Sequence, residues 1–204
     1  MKRAFLPLAV LVAVLAVAAS TVAAAASAQA KPGAPKPAPQ KPGMPSPGAG
    51  PVVVLETVKG TFEFETYPNE APKTVEHVLA LVRRGFYNGQ RVVRVVPGVV
   101  QMGDPQTRDM TKREMWGRGM GAGSGKPIGI AEFSPKRKHK LGAIGMAHAG
   151  VASEADSQFY IATHARPELD GRYAVIGQVV TGMDVVNRLQ VGDLIRKAYV
   201  KDAK

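Results

Sequence analysis

Eight of the chain's 16 prolines fall in one stretch, KPGAPKPAPQKPGMPSPGAGP, residues 31–51. Proline carries no backbone N–H and fixes φ near −65°, so such a stretch can neither join a sheet nor continue a helix. It divides the chain into parts that must be read separately. The stretch itself is expected to be an extended spacer, at about 3.1 Å per residue some 60 Å long. It lacks the repeated PxxP with flanking residues that a proline-reading module would want.

The part before it reads MKRAFLPLAVLVAVLAVAASTVAAAASAQA. Lys2 and Arg3 form a positive start, an apolar run follows, and Ala26-Ser27-Ala28 supplies an A-x-A cleavage site. That is the pattern of a secretory signal peptide. The uncharged run is long enough to span a bilayer if left uncut, but Ser20-Thr21 interrupts it. The expected organisation is a signal peptide at 1–28, a disordered Pro/Ala/Gly/Lys-rich linker at 29–50 and one folded domain at 51–204. The mature protein is expected in the periplasm or secreted; the alternative is a membrane tether made by the uncut signal. The absence of cysteine fits such a compartment and excludes disulfides, thiol catalysis and a lipoprotein anchor. Net charge is +11, and residues 1–50 contribute five basic side chains and no acidic one. The remaining excess is moderate and requires no nucleic-acid partner.

From residue 51 the texture changes to that of a β protein. In VVVLETVKGTFEFET, Phe62 and Phe64 alternate with Glu63 and Glu65, the period of a strand with one wet face. In APKTVEHVLALVRRG, Pro72 suits a first helical turn, Val75, Val78, Leu79 and Val82 share one face, and Gly85 marks a stop. Further strand-like runs cover 92–96, 99–102, 143–147, 158–163, 175–180 and 195–200, with a short helix at 183–189. Many short strands and two helices suggest an antiparallel barrel or sandwich with helices over its ends.

Most catalytic apparatus is missing. GRGMGAGSGKPIG, residues 117–129, has no glycine five before Gly125 and has Pro127 where a phosphate loop needs Ser or Thr, so it reads as a flexible loop. SPKRKHK, residues 134–140, reads as a solvated basic loop, because stacking aromatics for nucleic acid are few. His77, His139, His148 and His164 form no HxxxH or HExxH pair, so no metal is expected. There is no GxSxG. What remains is chemistry that needs neither nucleophile, base nor metal.

One stretch does stand out. QRVVRVVPGVVQMGDP sets Arg91 and Arg94 in a valine-rich run, although guanidinium stays charged at any ordinary pH. Together with LETVKGTFEFETYPNEAPKTVEHVLALVRRGFYNG, LGAIGMAHAG, DSQFYIAT and LDGRYAVIGQVVTGMDVV, in that order, it resembles the bacterial-type cyclophilins. The resemblance runs from about Val52 to the C-terminus. It implies a mainly β fold, a closed eight-stranded antiparallel β-barrel capped by two helices, and peptidyl-prolyl cis-trans isomerase activity without a cofactor. By resemblance Arg94 is the catalytic arginine and Arg91 an ordinary surface residue. Gln101 would orient Arg94 and bind substrate backbone. Val99, Met146, Tyr160 and Leu169 would line the proline pocket. Ala147, His148 and Ala149 would hold the residue before proline, Gln158 would bond nearby, and Tyr173 stands at the usual pocket histidine. Gly121 to Gly125 would border the neighbouring pocket.

The chain departs from the family in places. Val92-Val93 replaces the usual Phe-His, and two residues rather than three separate Pro97-Gly98 from Gln101, with the customary phenylalanine lost. Tyr160 replaces a phenylalanine, and its hydroxyl needs a partner if buried. Glu168 replaces an aromatic, so cyclosporin binding is expected to be weak. His148 replaces an asparagine. The expected partners are proline-containing polypeptides, with no nucleic acid and no metal, and the protein is expected to be a monomer. Two functions follow: an isomerase that speeds X-Pro steps in the folding of exported proteins, or a prolyl-peptide binding module or chaperone with little turnover.

Overall fold

The computed structural model describes residues 50–118 and 123–201. The expected signal peptide, nearly all of the expected linker and residues 119–122 and 202–204 lie outside the described residues. Eight strands form one antiparallel sheet: β1 (Val52–Thr57), β2 (Gly60–Thr66), β3 (Arg94–Val96), β4 (Val99–Met102), β5 (Ala143–Met146), β6 (Phe159–Ala162), β7 (Val175–Thr181) and β8 (Ile195–Val200). Their order across the sheet is β3-β4-β6-β5-β7-β2-β1-β8. Helix α1 (Pro72–Arg83) and the single turn α2 (Met183–Val186) complete the regular elements, with short 3-10 turns in the loops. The helix expected at 183–189 is thus shorter, continuing only as turns in which Arg188 and Leu189 donate three residues back, to Val185 and Val186.

The period-2 pattern places the core. Val53, Leu55, Phe62, Phe64, Val100, Met102, Ile144, Met146, Phe159, Ile161, Ile176 and Ile195 point inward and pack on Val75, Val78, Leu79 and Val82 of α1. Phe64 and Phe159 lie 5.9 Å apart, and Tyr87 meets Phe159 edge-on at 5.6 Å. Burying each such ring contributes about 2–3 kcal/mol.

The eight-stranded antiparallel architecture is as expected, but closure is overstated: the sheet curls into a half-barrel. β3 and β8 end the ladder and share no strand pairing. The three-residue β3 is too short to reach β8, and the irregular segment before it does the joining. Gly89 and Val92 donate to Ile195 and Asp193 at 2.9 Å, and Gly192 and Ile195 donate back to Val92 and Gln90 at 2.9 and 2.8 Å. Arg91 belongs to this seam. Its guanidinium donates to the Gly192 carbonyl at 2.9 Å and its backbone N–H to Thr107 at 2.8 Å. It is therefore a structural link and not an ordinary surface residue.

Helix α1 ends as its sequence foretold. Gly85, at φ 69°, donates to Val82 and Phe86 donates to Leu81, the paired bonds of a Schellman stop. Pro72 opens its first turn as expected, and Ala71 before it offers no capping side chain. Glu132, far along the chain, caps it instead, accepting from the Lys73 N–H at 3.1 Å and from the Thr74 N–H and hydroxyl at 2.8 Å each. A carboxylate at a helix start also meets the positive end of the helix dipole. Glu132→Ala is expected to lower the unfolding free energy by about 1–2 kcal/mol in a urea titration. An unchanged midpoint would show that water caps the helix as well.

Candidate active site

The site is built on the outer face of the sheet, opposite the core. Strand register puts Arg94 opposite Gln101, Gln101 opposite Tyr160, and Tyr160 opposite Gly145. Directly opposed residues share a face, so these four form one row across β3, β4, β6 and β5. Val99 and Ala162 pair in the next row along the same face. The Pro97-Gly98 hairpin aims the row. Gly98 has φ 87°, which the second corner of a Pro-Gly turn requires. The turn is held by Thr163, which donates to the Gly98 carbonyl at 3.0 Å, and by Arg166, which donates to the Pro97 carbonyl at 3.0 Å. A β-carbon on Gly98 would lie 2.5 Å from Arg166 and 2.8 Å from His164. These residues pack closely over the shortened hairpin.

Arg94 is exposed, and no hydrogen bond or ion pair with another described residue engages its guanidinium. Gln101 stands beside it but does not bond its side chain; the Gln101 amide donates to Gln158 Oε1 at 2.9 Å. Tyr160 is 4% exposed, and its hydroxyl lies 2.8 Å from His139 Nε2. Burial, above all, holds the Tyr160 hydroxyl's pKa well above the usual phenol range, with nearby Tyr173 adding to it. Tyr173 meets Tyr160 edge-on at 5.8 Å and stacks on His148 at 4.4 Å. His148 Nε2 lies 3.0 Å from the Arg172 carbonyl, and its Nδ1 accepts from the Gly150 N–H at 3.2 Å, so the proton belongs on Nε2. Ala147 donates to the Gln158 carbonyl at 2.9 Å, which brings the following Ala149 loop beside the row. Leu169, half-buried, sits in the turn Pro167–Leu169, and its carbonyl accepts from Tyr173 at 3.2 Å.

The structure therefore gathers Arg94, Gln101, Gln158, Tyr160, Tyr173 and His148, with Val99, Leu169, Ala147 and Ala149 flanking them. Met146 is not among them. It pairs with Phe159 on the core face, is 1% exposed, and packs in the main core. Strand alternation turns it away from Tyr160, so the expectation that it lines the proline pocket is corrected. Of the glycine loop, Gly121 lies outside the described residues. Ser124 and Gly125 are tied to Asp156, whose carboxylate also meets His77 of α1 at 3.1 Å.

The basic loop at 134–140 is solvated at Pro135, Lys136, Lys138 and Lys140, as expected, but not at Arg137 and His139. Arg137 pairs with Glu70 at 2.9 Å and lies 3.7 Å over the Tyr67 ring. His139 is 2% exposed, and Asp170 Oδ1 accepts from both its backbone N–H and its Nδ1 at 2.9 Å. Charge count hid this residue, and only the buried Tyr160 hydroxyl's need for a partner pointed to it.

The chain matches the family model described as cyclophilin type peptidyl-prolyl cis-trans isomerase/CLD over residues 52–203. The chain belongs to the cyclophilin-type peptidyl-prolyl cis-trans isomerases. A probable peptidyl-prolyl cis-trans isomerase of Brucella abortus is 38% identical over 151 residues, 74% of this chain and 76% of that protein. Peptidyl-prolyl cis-trans isomerase B of Bacillus subtilis is 34% identical over 142 residues, 68% of this chain and 90% of that protein. A cyclophilin-type isomerase of Cryptosporidium parvum shares the fold at TM-score 0.63 and 22% identity, covering 76% of this chain and 99% of that one. A second structure of it was determined in the presence of the dipeptide Ala-Pro, at TM-score 0.62 and 23% identity, covering 74% of this chain and 99% of that one. The cyclophilin domain thus spans essentially every described residue, and its activity is X-Pro isomerisation.

Asp170 anchors the loop behind the site. Burial alone would raise its pKa, but the His139 backbone and ring hydrogen bonds and the charge of Lys138 outweigh that and leave it below the usual value. A lowered carboxylate pKa stabilises the fold above about pH 4 and loses that contribution as pH falls through the folded-state value. The expected outcome is that Asp170→Asn destabilises the protein at pH 7 but changes little near pH 2–3, measured by thermal unfolding across pH. An equal loss at both ends would contradict the carboxylate's role.

Proposed function

We propose that the cyclophilin site of this chain turns over X-Pro bonds in exported polypeptides, with Arg94 as the donor to the prolyl nitrogen. The barrier to this rotation is amide resonance, about 20 kcal/mol. As the bond twists, the nitrogen lone pair localises and can accept a hydrogen bond. A donor that never acts as a base suits that step, and guanidinium is such a group. The observation that carries the reading is the row Arg94–Gln101–Tyr160, in which the exposed guanidinium has no side-chain partner among the described residues and stands two strands from a buried aromatic ring. Gln101, held by Gln158, would contact substrate backbone. Val99, Tyr160 and Leu169 would take the proline ring. Ala147, His148, Ala149 and Tyr173 would take the residue before it. Proline-containing polypeptides are the substrate class, as the Ala-Pro structure of the Cryptosporidium relative also suggests.

Export rests on the signal-like N-terminus with its A-x-A site and on the absence of cysteine. Mass spectrometry of protein from a secreting host is expected to find Gln29 as the first residue; an intact Met1 in membrane fractions would favour the tether instead. Glu168 in place of an aromatic, exposed and paired with Arg166, supports weak cyclosporin binding at most.

A second reading, a prolyl-peptide binder with little turnover, is favoured by the shortened Pro97-Gly98 hairpin alone. The test is exchange NMR on an Ala-Pro peptide with the full chain. Arg94→Ala is expected to slow turnover about ten- to a hundredfold while peptide binding persists, the value of one charged hydrogen bond. Binding without catalysis in the unmutated chain would establish the binder.

A further inference from the structure

Tyr160 is held by an arrangement that the isomerase reaction does not require. Its hydroxyl reaches His139 Nε2 at 2.8 Å, and His139 Nδ1 reaches Asp170 Oδ1 at 2.9 Å. Asp170 is a carboxylate and only accepts, so Nδ1 carries the proton, Nε2 accepts, and the Tyr160 O–H donates. The two rings lie 5.9 Å apart and 13° from parallel. His139 itself is buried. The ring's distal end also runs across the neighbouring strand. A β-carbon on Gly145 would lie 2.3 Å from Tyr160 Cζ and 2.4 Å from its hydroxyl oxygen. Only a glycine opposite Tyr160 leaves that path to His139 open.

His139 therefore touches two separate parts of the groove. One is Tyr160 on β6. The other is the turn that carries Leu169, through Asp170 next to it and through the Arg166 N–H, which donates to the His139 carbonyl at 2.7 Å. We propose that His139 and Asp170 are positioning residues that pin the Tyr160 ring across Gly145 and lock it to the Leu169 turn, so that floor and wall of the proline groove are set by one buried imidazole. The proposal rests on the reading of Tyr160 and Leu169 as groove residues. A proline ring binds by close apolar contact, so a misplaced floor weakens binding, whereas the Arg94 hydrogen bond forms in the twisted state. The relay should therefore act on KM and Arg94 on kcat.

The experiment measures kcat and KM for an Ala-Pro tetrapeptide by exchange NMR with the full chain. It also records the long-range ¹⁵N spectrum of the His139 ring. His139→Leu is expected to raise KM about tenfold, the value of one buried hydrogen bond, with kcat within about threefold. Tyr160→Phe alone also raises KM, because it strands the buried Nε2. The double variant His139→Leu/Tyr160→Phe removes both polar groups and recovers KM to within about threefold of the unmutated chain. The ring spectrum shows the Nδ1–H tautomer. A merely structural histidine would lower stability and leave the KM of the folded protein unchanged; that result, a failed rescue, or the Nε2–H tautomer overturns the proposal. If His139→Leu does not fold, Tyr160→Phe decides, with a KM within twofold of the original overturning it. Arg94→Ala, run in parallel, separates the two failures. Unchanged kcat there removes the catalytic reading, while the tautomer and the rescue still judge the relay.

Discussion

The two-residue alternation of β4, β6 and β5 must stay in one register, because each strand has the core on one face and the site on the other. Val100 and Met102 point inward while Val99 and Gln101 point outward; Phe159 and Ile161 point inward while Tyr160 and Ala162 point outward. A slip of one residue would drive Gln101 into hydrocarbon and expel Phe159. Close contact at the end of β4 prevents this. The Ser157 hydroxyl donates to the Gly103 carbonyl at 2.7 Å, and a β-carbon on Gly103 would lie 2.3 Å from the Ser157 carbonyl oxygen. Asp104, fully buried, then takes the N–H groups of Gln106 at 2.8 Å and Gly117 at 2.6 Å, so the chain beyond the strand is fixed too.

That register explains how an isomerase can work from an open sheet face. No bond breaks, so no nucleophile or metal has to be sheltered from water. An apolar groove and one donor would suffice, and neighbouring strands bring candidates for both together. A wide groove also lies between the end of α1 and β8. That concavity, about 810 Å³, is lined by Val82, Arg83, Gly85, Asn88, Lys197 and Tyr199 among others. Its Lys197 ammonium lies 5.1 Å over the Tyr199 ring, and we assign the groove no part in the reaction.

Much of this was legible in the sequence. The alternation of Phe62 and Phe64 with Glu63 and Glu65, the α1 face and the Gly85 stop follow from local periodicity and backbone preference, and all three appear as read. Arg94 and Gln101 were found through ordered motifs that strand pairing then brought opposite each other. Apart from Met146, the failures are long-range. Met146 sits among site residues in sequence, but alternation sends it inward. Arg91 looked like a surface charge because its acceptor, the Gly192 carbonyl, is about a hundred residues away. His139 was hidden in a run of lysines and arginines, since its burial depends on Tyr160, Asp170 and Gly145 meeting across separate elements. Closure of the barrel failed for a related reason: strand count is local, whereas seam pairing depends on the length of β3.

An X-Pro segment is expected to lie along the outer row of β3, β4 and β6. A titration of the ¹⁵N-labelled full chain with an Ala-Pro tetrapeptide tests it most directly. The account predicts that shifts concentrate at Arg94, Gln101, Gln158, Tyr160, Leu169 and Tyr173, with the core-facing Met146 and Ile144 little changed. Shifts centred instead on residues 82–88 and 197–201 would place the peptide in the groove between α1 and β8 and would contradict it.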